Sequence, residues 1–371
     1  MKRRHFLAAQ VLAGLAAPTV SAAGPPPIVS ATGDGIPHTP AEYAGLLAKL
    51  APTVAPDTYS REGAVAKLEA AVAAALGKEM AVWLPTGTLA NHLAVRVLAG
   101  EKRRVLVQQE CHLYNDCGDC CQTLSGLTMI PLAPERATFT LSDVESAANR
   151  GASGRVAVPI GALQIETPVR RKTGEMFDIA EMRKIAAWAR ANKTGLHLDG
   201  ARLYIAASYS GIPVREYAAM FDTVYISMYK YFNAASGAVL AGPRSLLENL
   251  YHTRRMFGGG LSHVWPFAAI AQHYFDGFEQ RHARAVASSE RVIAALQADS
   301  RFEIRRVPNG TNIFFLRAKG VAAAAYRQRI GSAGIQLAEA RPDDSFAVLV
   351  NETWNRSSTE EILSGFRKAL A

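Results

Sequence analysis

The chain predicts an α/β fold: a mostly parallel central sheet with helices on both faces, plus a smaller α+β C-terminal domain. Three observations carry this. From about residue 62 to residue 242, short apolar runs alternate with amphipathic stretches of helical length. Two of those runs end on a lone charged residue, Asp199 and then Lys230, each leading into a segment of small residues. Beyond Leu296 the alternation gives way to short strands at closer spacing.

The chain starts Met1-Lys2-Arg3-Arg4-His5-Phe6-Leu7, runs through alanine-rich apolar residues to about Ala17, and offers small residues at Val20-Ser21-Ala22. This reads as an export signal peptide over 1–23. The paired arginines point to the twin-arginine route and hence to a periplasmic or exported protein. The apolar run is too short for a stable membrane span, and none is expected after processing. An N-terminal arm is predicted over 24–55, with one helix near Ala41–Leu50. A large domain follows over 56–262, then a long helix and small domain over 263–371. In the large domain, Glu62–Leu76 is a helix carrying Val65, Leu68, Val72 and Leu76 on one face. Met80–Leu84 is a strand, Pro85–Thr88 a turn, and Leu89–Leu98 the next helix. Ser142-x-x-Glu145 and Asp178-x-x-Glu181 read as capping boxes. Val156–Ile165 is a long apolar run ending at Glu166, Gly195–Asp199 and Thr223–Met228 are apolar strand segments, and Ala238–Ala241 is an antiparallel return. A long helix is expected from Ser262 to Leu296, and the first helix of the chain is placed with the small domain.

Composition bounds the chemistry. Hydrophobic residues make up 49% and charged residues 20% of the 371, as in a packed enzyme. The net charge is +9, or +6 without the leader, and no basic block with interleaved aromatics predicts nucleic-acid binding. Cys111, Cys117, Cys120 and Cys121 fall within eleven positions around His112. Buried thiols or a single disulfide are preferred to zinc, which ordinarily takes two separated ligand pairs. No metal is expected.

Asp199 and Lys230 lie 31 residues apart, at the ends of consecutive strands. Ligands bind at the carboxyl ends of such strands. A lysine amine that condenses with an aldehyde, and a carboxylate that keeps a pyridine nitrogen protonated, together suit pyridoxal 5'-phosphate. Met, Tyr and Phe around Lys230 would desolvate its amine. The turn Thr86-Gly87-Thr88 puts N–H groups and hydroxyls at a helix N-terminus, a place for a phosphate.

These residues belong to a longer pattern. Leu84-Pro85-Thr86-Gly87-Thr88-Leu89-Ala90-Asn91, Glu110-Cys111-His112, Glu166-Thr167-Pro168, His197-Leu198-Asp199-Gly200-Ala201-Arg202, Ser227-Met228-Tyr229-Lys230 and Met256-Phe257-Gly258-Gly259-Gly260 occur in that order. The chain resembles the threonine aldolase and β-eliminating lyase group of fold-type I pyridoxal phosphate-dependent enzymes, transferase-like in fold. The resemblance implies that Lys230 holds the cofactor, Asp199 pairs with its ring nitrogen and His112 stacks on its ring. It places Thr86, Gly87 and Thr88 at the phosphate, and Arg202 near the ring or the substrate carboxylate. Glu166 and Tyr59 fall on the substrate side, with Tyr59 offered to a neighbouring subunit, so a homodimer or homotetramer with shared sites is implied. Lys230, His112 and Asp199 are the catalytic candidates. His197 reads as packing.

The departures cluster on the substrate side. After the glutamate the family carries Asn-Thr-His, whereas this chain has Thr167-Pro168-Val169. After the glycine triplet Leu261-Ser262-His263 replaces Met-Arg-Gln, and Gly33-Asp34-Gly35 stands for Ser-Asp-Thr. The late arginine that grips the substrate carboxylate has no match near Val348, leaving Arg341 or one of Arg170-Arg171-Lys172 as substitutes. The expectation is carbon–carbon cleavage of a threonine-like β-hydroxy amino acid to glycine and an aldehyde. The alternatives are β-elimination or transamination on the same scaffold, or an exported non-catalytic binding protein.

Overall fold

The computed structural model describes residues 29–371; the expected signal peptide lies outside the described residues. The first strand, β1 (Val29–Ser30), is followed by β2 (Met80–Leu84), β3 (Arg104–Gln108), β4 (Thr128–Leu132), β5 (Ile160–Glu166), β6 (Gly195–Asp199), β7 (Thr223–Ser227) and β8 (Ala238–Gly242). Strands β2 to β8 form one sheet in the order β2-β8-β7-β6-β5-β3-β4. Strand β8 runs antiparallel to both neighbours, and the other pairings are parallel. The runs are apolar on both faces because both faces are covered. Strands β5 and β7 are buried along their whole length.

Helix Gly87–Ala99 crosses one face from β5 to β8. Its buried residues include Ala90, Leu93, Ala94 and Val95, and also the polar Asn91 and His92. Helix Gly63–Leu76 packs on β2 and β8, burying Val65, Leu68, Val72 and Leu76. The sheet order reverses between β3 and β5. The chain leaves β3 for the edge strand β4 and returns on the other side of β3 as β5, which opens a crevice at the carboxyl ends of these strands.

The small domain is a three-stranded antiparallel sheet of β9 (Phe302–Arg306), β10 (Ile313–Ala318) and β12 (Phe346–Leu349), with the short β11 (Ile335–Gln336) beside it. Strand β1 pairs in parallel with β11, and Val29 is fully buried. The start of the chain thus joins the small domain through β1. Helix Pro40–Leu50 does not: it buries no residue and lies against helix Trp265–Phe275, having too little apolar surface to compete for the small core. The expected long helix is two, Trp265–Phe275 and Phe278–Gln297: Asp276 turns extended after the first, and Gly277, at φ 71°, leads into the second. Val264, Ala268, Ala271 and Phe278 belong to the large core, and Ala285 onward to the small one. The packing therefore changes hands along helix Phe278–Gln297. The first capping box sits at Thr140 and Asp143, because the extended backbone required of a cap falls at Thr140 while Ser142 is already helical. Asp178 caps its helix as expected, but Glu181 bonds the backbone of Leu141 instead of closing the box.

Beneath the sheet edge, Glu69 accepts the Trp83 N–H at 2.6 Å, and burial pushes its pKa from 4.5 up to about 7. The folded chain therefore holds this proton more tightly than the unfolded chain. Stability is full below pH 4.5 and declines as pH rises through about 7. Glu69→Gln, which keeps the acceptor, is expected to be more stable than wild type above pH 7 by at most about 3 kcal/mol, less because the side chain keeps some solvent contact. Melts at pH 5 and pH 8 check this.

Candidate active site

The register of the sheet assembles the site. Glu166, Asp199 and Tyr225 are successive Cα partners across β5, β6 and β7. A cavity of about 250 Å³ opens over them, lined by Gly87, His112, Glu166, Arg170, Asp199, Ala201, Arg202, Tyr225, Tyr229 and Lys230. Six expected residues meet there: Lys230, His112, Asp199, Gly87, Arg202 and Glu166.

Asp199 is buried, and a directed hydrogen-bond chain ends on it. Its Oδ2 accepts Asn91 Nδ2 at 2.6 Å and its Oδ1 accepts the Ala201 N–H at 3.1 Å. Asn91 Oδ1 faces His197 Nε2 at 2.9 Å, and His197 Nδ1 faces Thr223 Oγ1 at 2.9 Å. Burial lowers the His197 pKa to about 3, so its ring is neutral. With Asn91 donating to Asp199, the His197 Nε2–H donates to Asn91 and Nδ1 accepts from Thr223. His197 is thus packed, as expected, and also orients Asn91. The buried polar Asn91 on an otherwise apolar helix face is the sequence signal that marks this role.

Lys230 follows β7 and reaches the cavity half-buried, with its amine 4.6 Å from the Tyr229 ring centroid and 3.5 Å from its hydroxyl. The desolvation expected from its neighbours is partial, because Tyr231 and Phe232 turn into the core while Tyr229 stays exposed.

Glu166 ends β5 almost without exposure. It accepts the backbone N–H groups of His112 at 2.6 Å and Arg170 at 2.9 Å. Burial, and then the charge of Asp199, raise its pKa to about 7. Gln108 at the end of β3 clamps the Glu166 peptide, accepting its N–H at 2.7 Å and donating to its carbonyl at 2.9 Å. This polar residue closing an apolar strand was a second legible signal.

His112 stands on the loop after β3, with Cys117 Sγ 3.2 Å from its Nδ1. That contact raises the His112 pKa, while desolvation opposes it. All four cysteines are free thiols, and among the described residues no group of His, Cys, Asp and Glu could hold a metal. Arg202 lines the cavity as expected. It makes a two-nitrogen contact at 2.8 Å with Asp34, which arrives from the N-terminal arm. Arg170 and Arg171 share Asp116, one on each oxygen at 2.8 Å. Arg341 stacks instead on Phe315 of β10.

The phosphate candidates divide. Thr86 is the helix cap, its hydroxyl accepting the Leu89 N–H at 3.1 Å. Thr88 Oγ1 lies 3.6 Å from Cys117 Sγ. Gly87 alone of the three lines the cavity, and a Cβ built on it would meet the Tyr225 hydroxyl at 2.1 Å. That hydroxyl is buried and has no hydrogen-bond partner among the described residues. An anionic group at this helix N-terminus, beside an orphaned hydroxyl, with a carboxylate below and an amine at the rim, fits pyridoxal phosphate. Gly87→Ala is expected to displace Tyr225 and weaken cofactor binding by about tenfold or more, read by titration of the apoprotein. Tyr59 does not line its own chain's cavity. It is 44% exposed, with the Arg255 guanidinium 5.0 Å over its ring.

Residues 48–319 match the family model described as "Beta-eliminating lyase", and the chain belongs to that family. It is 28% identical over 226 residues to the low specificity L-threonine aldolase of Saccharomyces cerevisiae, covering 60% of this chain and 58% of that one. It is 31% identical over 248 residues to aldolase vrtJ of Penicillium aethiopicum, covering 65% and 63%. Each alignment thus spans about three fifths of the relative's length. Among solved structures it resembles a Listeria monocytogenes chain provisionally assigned as an L-allo-threonine aldolase, with TM-score 0.76 and 25% identity over 93% of this chain and 96% of that one.

Proposed function

We propose that this protein is a pyridoxal phosphate-dependent lyase that cleaves a threonine-like β-hydroxy amino acid to glycine and an aldehyde. The observation that carries the reading is the convergence of Asp199, Lys230 and the Gly87 helix terminus on one cavity. The names of the aldolase relatives support it.

When bound, the cofactor supplies an electron sink for the pair released from the broken Cα–Cβ bond. Lys230 would hold its aldehyde, Asp199 its ring nitrogen, the N–H groups of Gly87 and Thr88 its phosphate, and His112 its ring face. The Asn91–His197–Thr223 chain keeps Asp199 aimed into the cavity. Glu166 fixes the backbone of His112 and Arg170 at once, so the ring-stacking and carboxylate-binding sides move as one piece. Arg170 is the cation of the cavity wall that substitutes for the missing late arginine. Its side chain is half exposed and shares the Asp116 carboxylate with Arg171, whereas Arg202 is already matched by Asp34. His112, or a water it holds, takes the proton from the substrate hydroxyl.

Product detection tests this. Aldehyde and glycine in equal amounts from a panel of β-hydroxy amino acids support the reading. Ammonia with a keto acid would assign β-elimination, and a new amino acid transamination. A protein that stays colourless after reconstitution would leave a non-catalytic binding role.

Two further parts belong to the same proposal. A second copy completes the site through Tyr59, whose exposure and departure from its own cavity support sharing. Export through a twin-arginine signal rests on the leader alone. Among the described residues no helix is long and apolar enough to cross a membrane.

A further inference from the structure

The loop after β3 carries a contact that the proposed chemistry does not yet use. Cys117 is buried and stands between two residues of the site, its Sγ 3.2 Å from His112 Nδ1 and 3.6 Å from Thr88 Oγ1. A thiol carries one hydrogen. Given to Thr88 or to the neighbouring Cys120 thiol, it leaves the sulfur to accept from an Nδ1–H, and the imidazole then keeps its lone pair on Nε2. Given to His112, it makes Nε2 the protonated nitrogen. In either case the contact occupies Nδ1 and leaves Nε2 for the cavity.

We infer that Cys117 is a positioning residue: it locks the His112 ring with Nε2 toward the substrate and sets which proton that nitrogen carries. The arrangement with the thiol donating to Thr88 makes Nε2 a proton acceptor, the form that general-base work on a substrate hydroxyl requires. The same thiol ties the ring-stacking residue to the first turn of the helix whose terminus faces the phosphate position. The loop is held at two other points, by the His112 N–H on Glu166 and by Asp116 on Arg170 and Arg171. The ring itself has no hydrogen-bond partner besides Cys117 among the described residues. The charged or titratable groups that face His112 are Cys117 on its own loop, Glu166 from β5, Arg170 beyond it, Asp199 and Arg202 at the end of β6, and Tyr225, Tyr229 and Lys230 on and after β7. Cys117 is the one that touches the ring, and its thiol is kept neutral because the hydrogen-bonded Cys120 thiol, and then burial, push its pKa up.

The inference rests on the reading of His112 as a site residue, and the test separates the two. Cys117→Ala and Cys117→Ser are compared with wild type and with His112→Ala. The first readout is the His112 titration by NMR in the apoprotein, which needs no turnover. The Cys117 contact raises the His112 pKa, so its removal is expected to lower that pKa in Cys117→Ala. The acid limb of kcat/KM should move to lower pH with it. A positioned base contributes about 10²- to 10⁴-fold, so loosening one that is still present should lower kcat by about tenfold with KM within about twofold. Cys117→Ser, which retains a hydroxyl donor, should fall between. An unchanged His112 titration and an unchanged pH profile in folded Cys117→Ala and Cys117→Ser would overturn the inference. Full activity in His112→Ala, with the titration shifted in Cys117→Ala, would uphold the contact and remove the role of His112 instead.

Discussion

Lys230→Ala is expected to abolish the visible absorption of the bound cofactor and to lower activity by at least about 10³-fold. No other described lysine lines the cavity, so no second amine can take over the aldehyde. The fold should be spared, with a stability change within about 0.5 kcal/mol, because Lys230 is half-buried at the rim and its side chain contacts little beyond Tyr229. Absorbance spectra and melts of the same preparation check both halves. An intact visible band in purified Lys230→Ala would show that the attachment point is elsewhere.

Asp199→Asn should cost about 10³-fold in kcat, because it removes the charge that holds a ring nitrogen protonated. It also has a structural signature. Asn91 now donates to Asp199 Oδ2, and an amide there would set two NH₂ groups face to face unless one flips. A flip of Asn91 would pass to His197 through Asn91 Oδ1, whereas a flip of the new amide would set its NH₂ against the Ala201 N–H. Asn91→Ala should therefore give a milder version of the same defect, roughly tenfold, leaving the charge but freeing its orientation. The two are compared by kcat and by the absorption maximum of the reconstituted protein. A full-strength Asp199→Asn enzyme would show that the ring nitrogen is held otherwise.

Much of the site was legible along the chain. Asp199, Glu166 and Lys230 follow apolar runs, and in a parallel sheet with covered faces all such ends meet at one edge. The turn at Thr86–Thr88 is readable because a strand precedes it and a helix follows. The supporting residues were less legible. Asn91 bonds a carboxylate 108 positions away, Gln108 a peptide 58 away, and Arg202 a carboxylate 168 away. Arg202 was expected near the ring or the substrate carboxylate, and it lines the cavity. Its partner Asp34, brought by the N-terminal arm, was not legible.

By itself the sequence determined the strand and helix alternation and the residues that end the strands. Each of these is written in local patterns of burial and spacing. Only the tertiary structure decided the partners: Asp34 for Arg202, Asn91 for Asp199, Glu166 for the His112 and Arg170 backbones, Cys117 for the His112 ring. The physical reason is that a strand end specifies the direction of a side chain, whereas a hydrogen-bond partner depends on which distant segments the sheet order sets beside it.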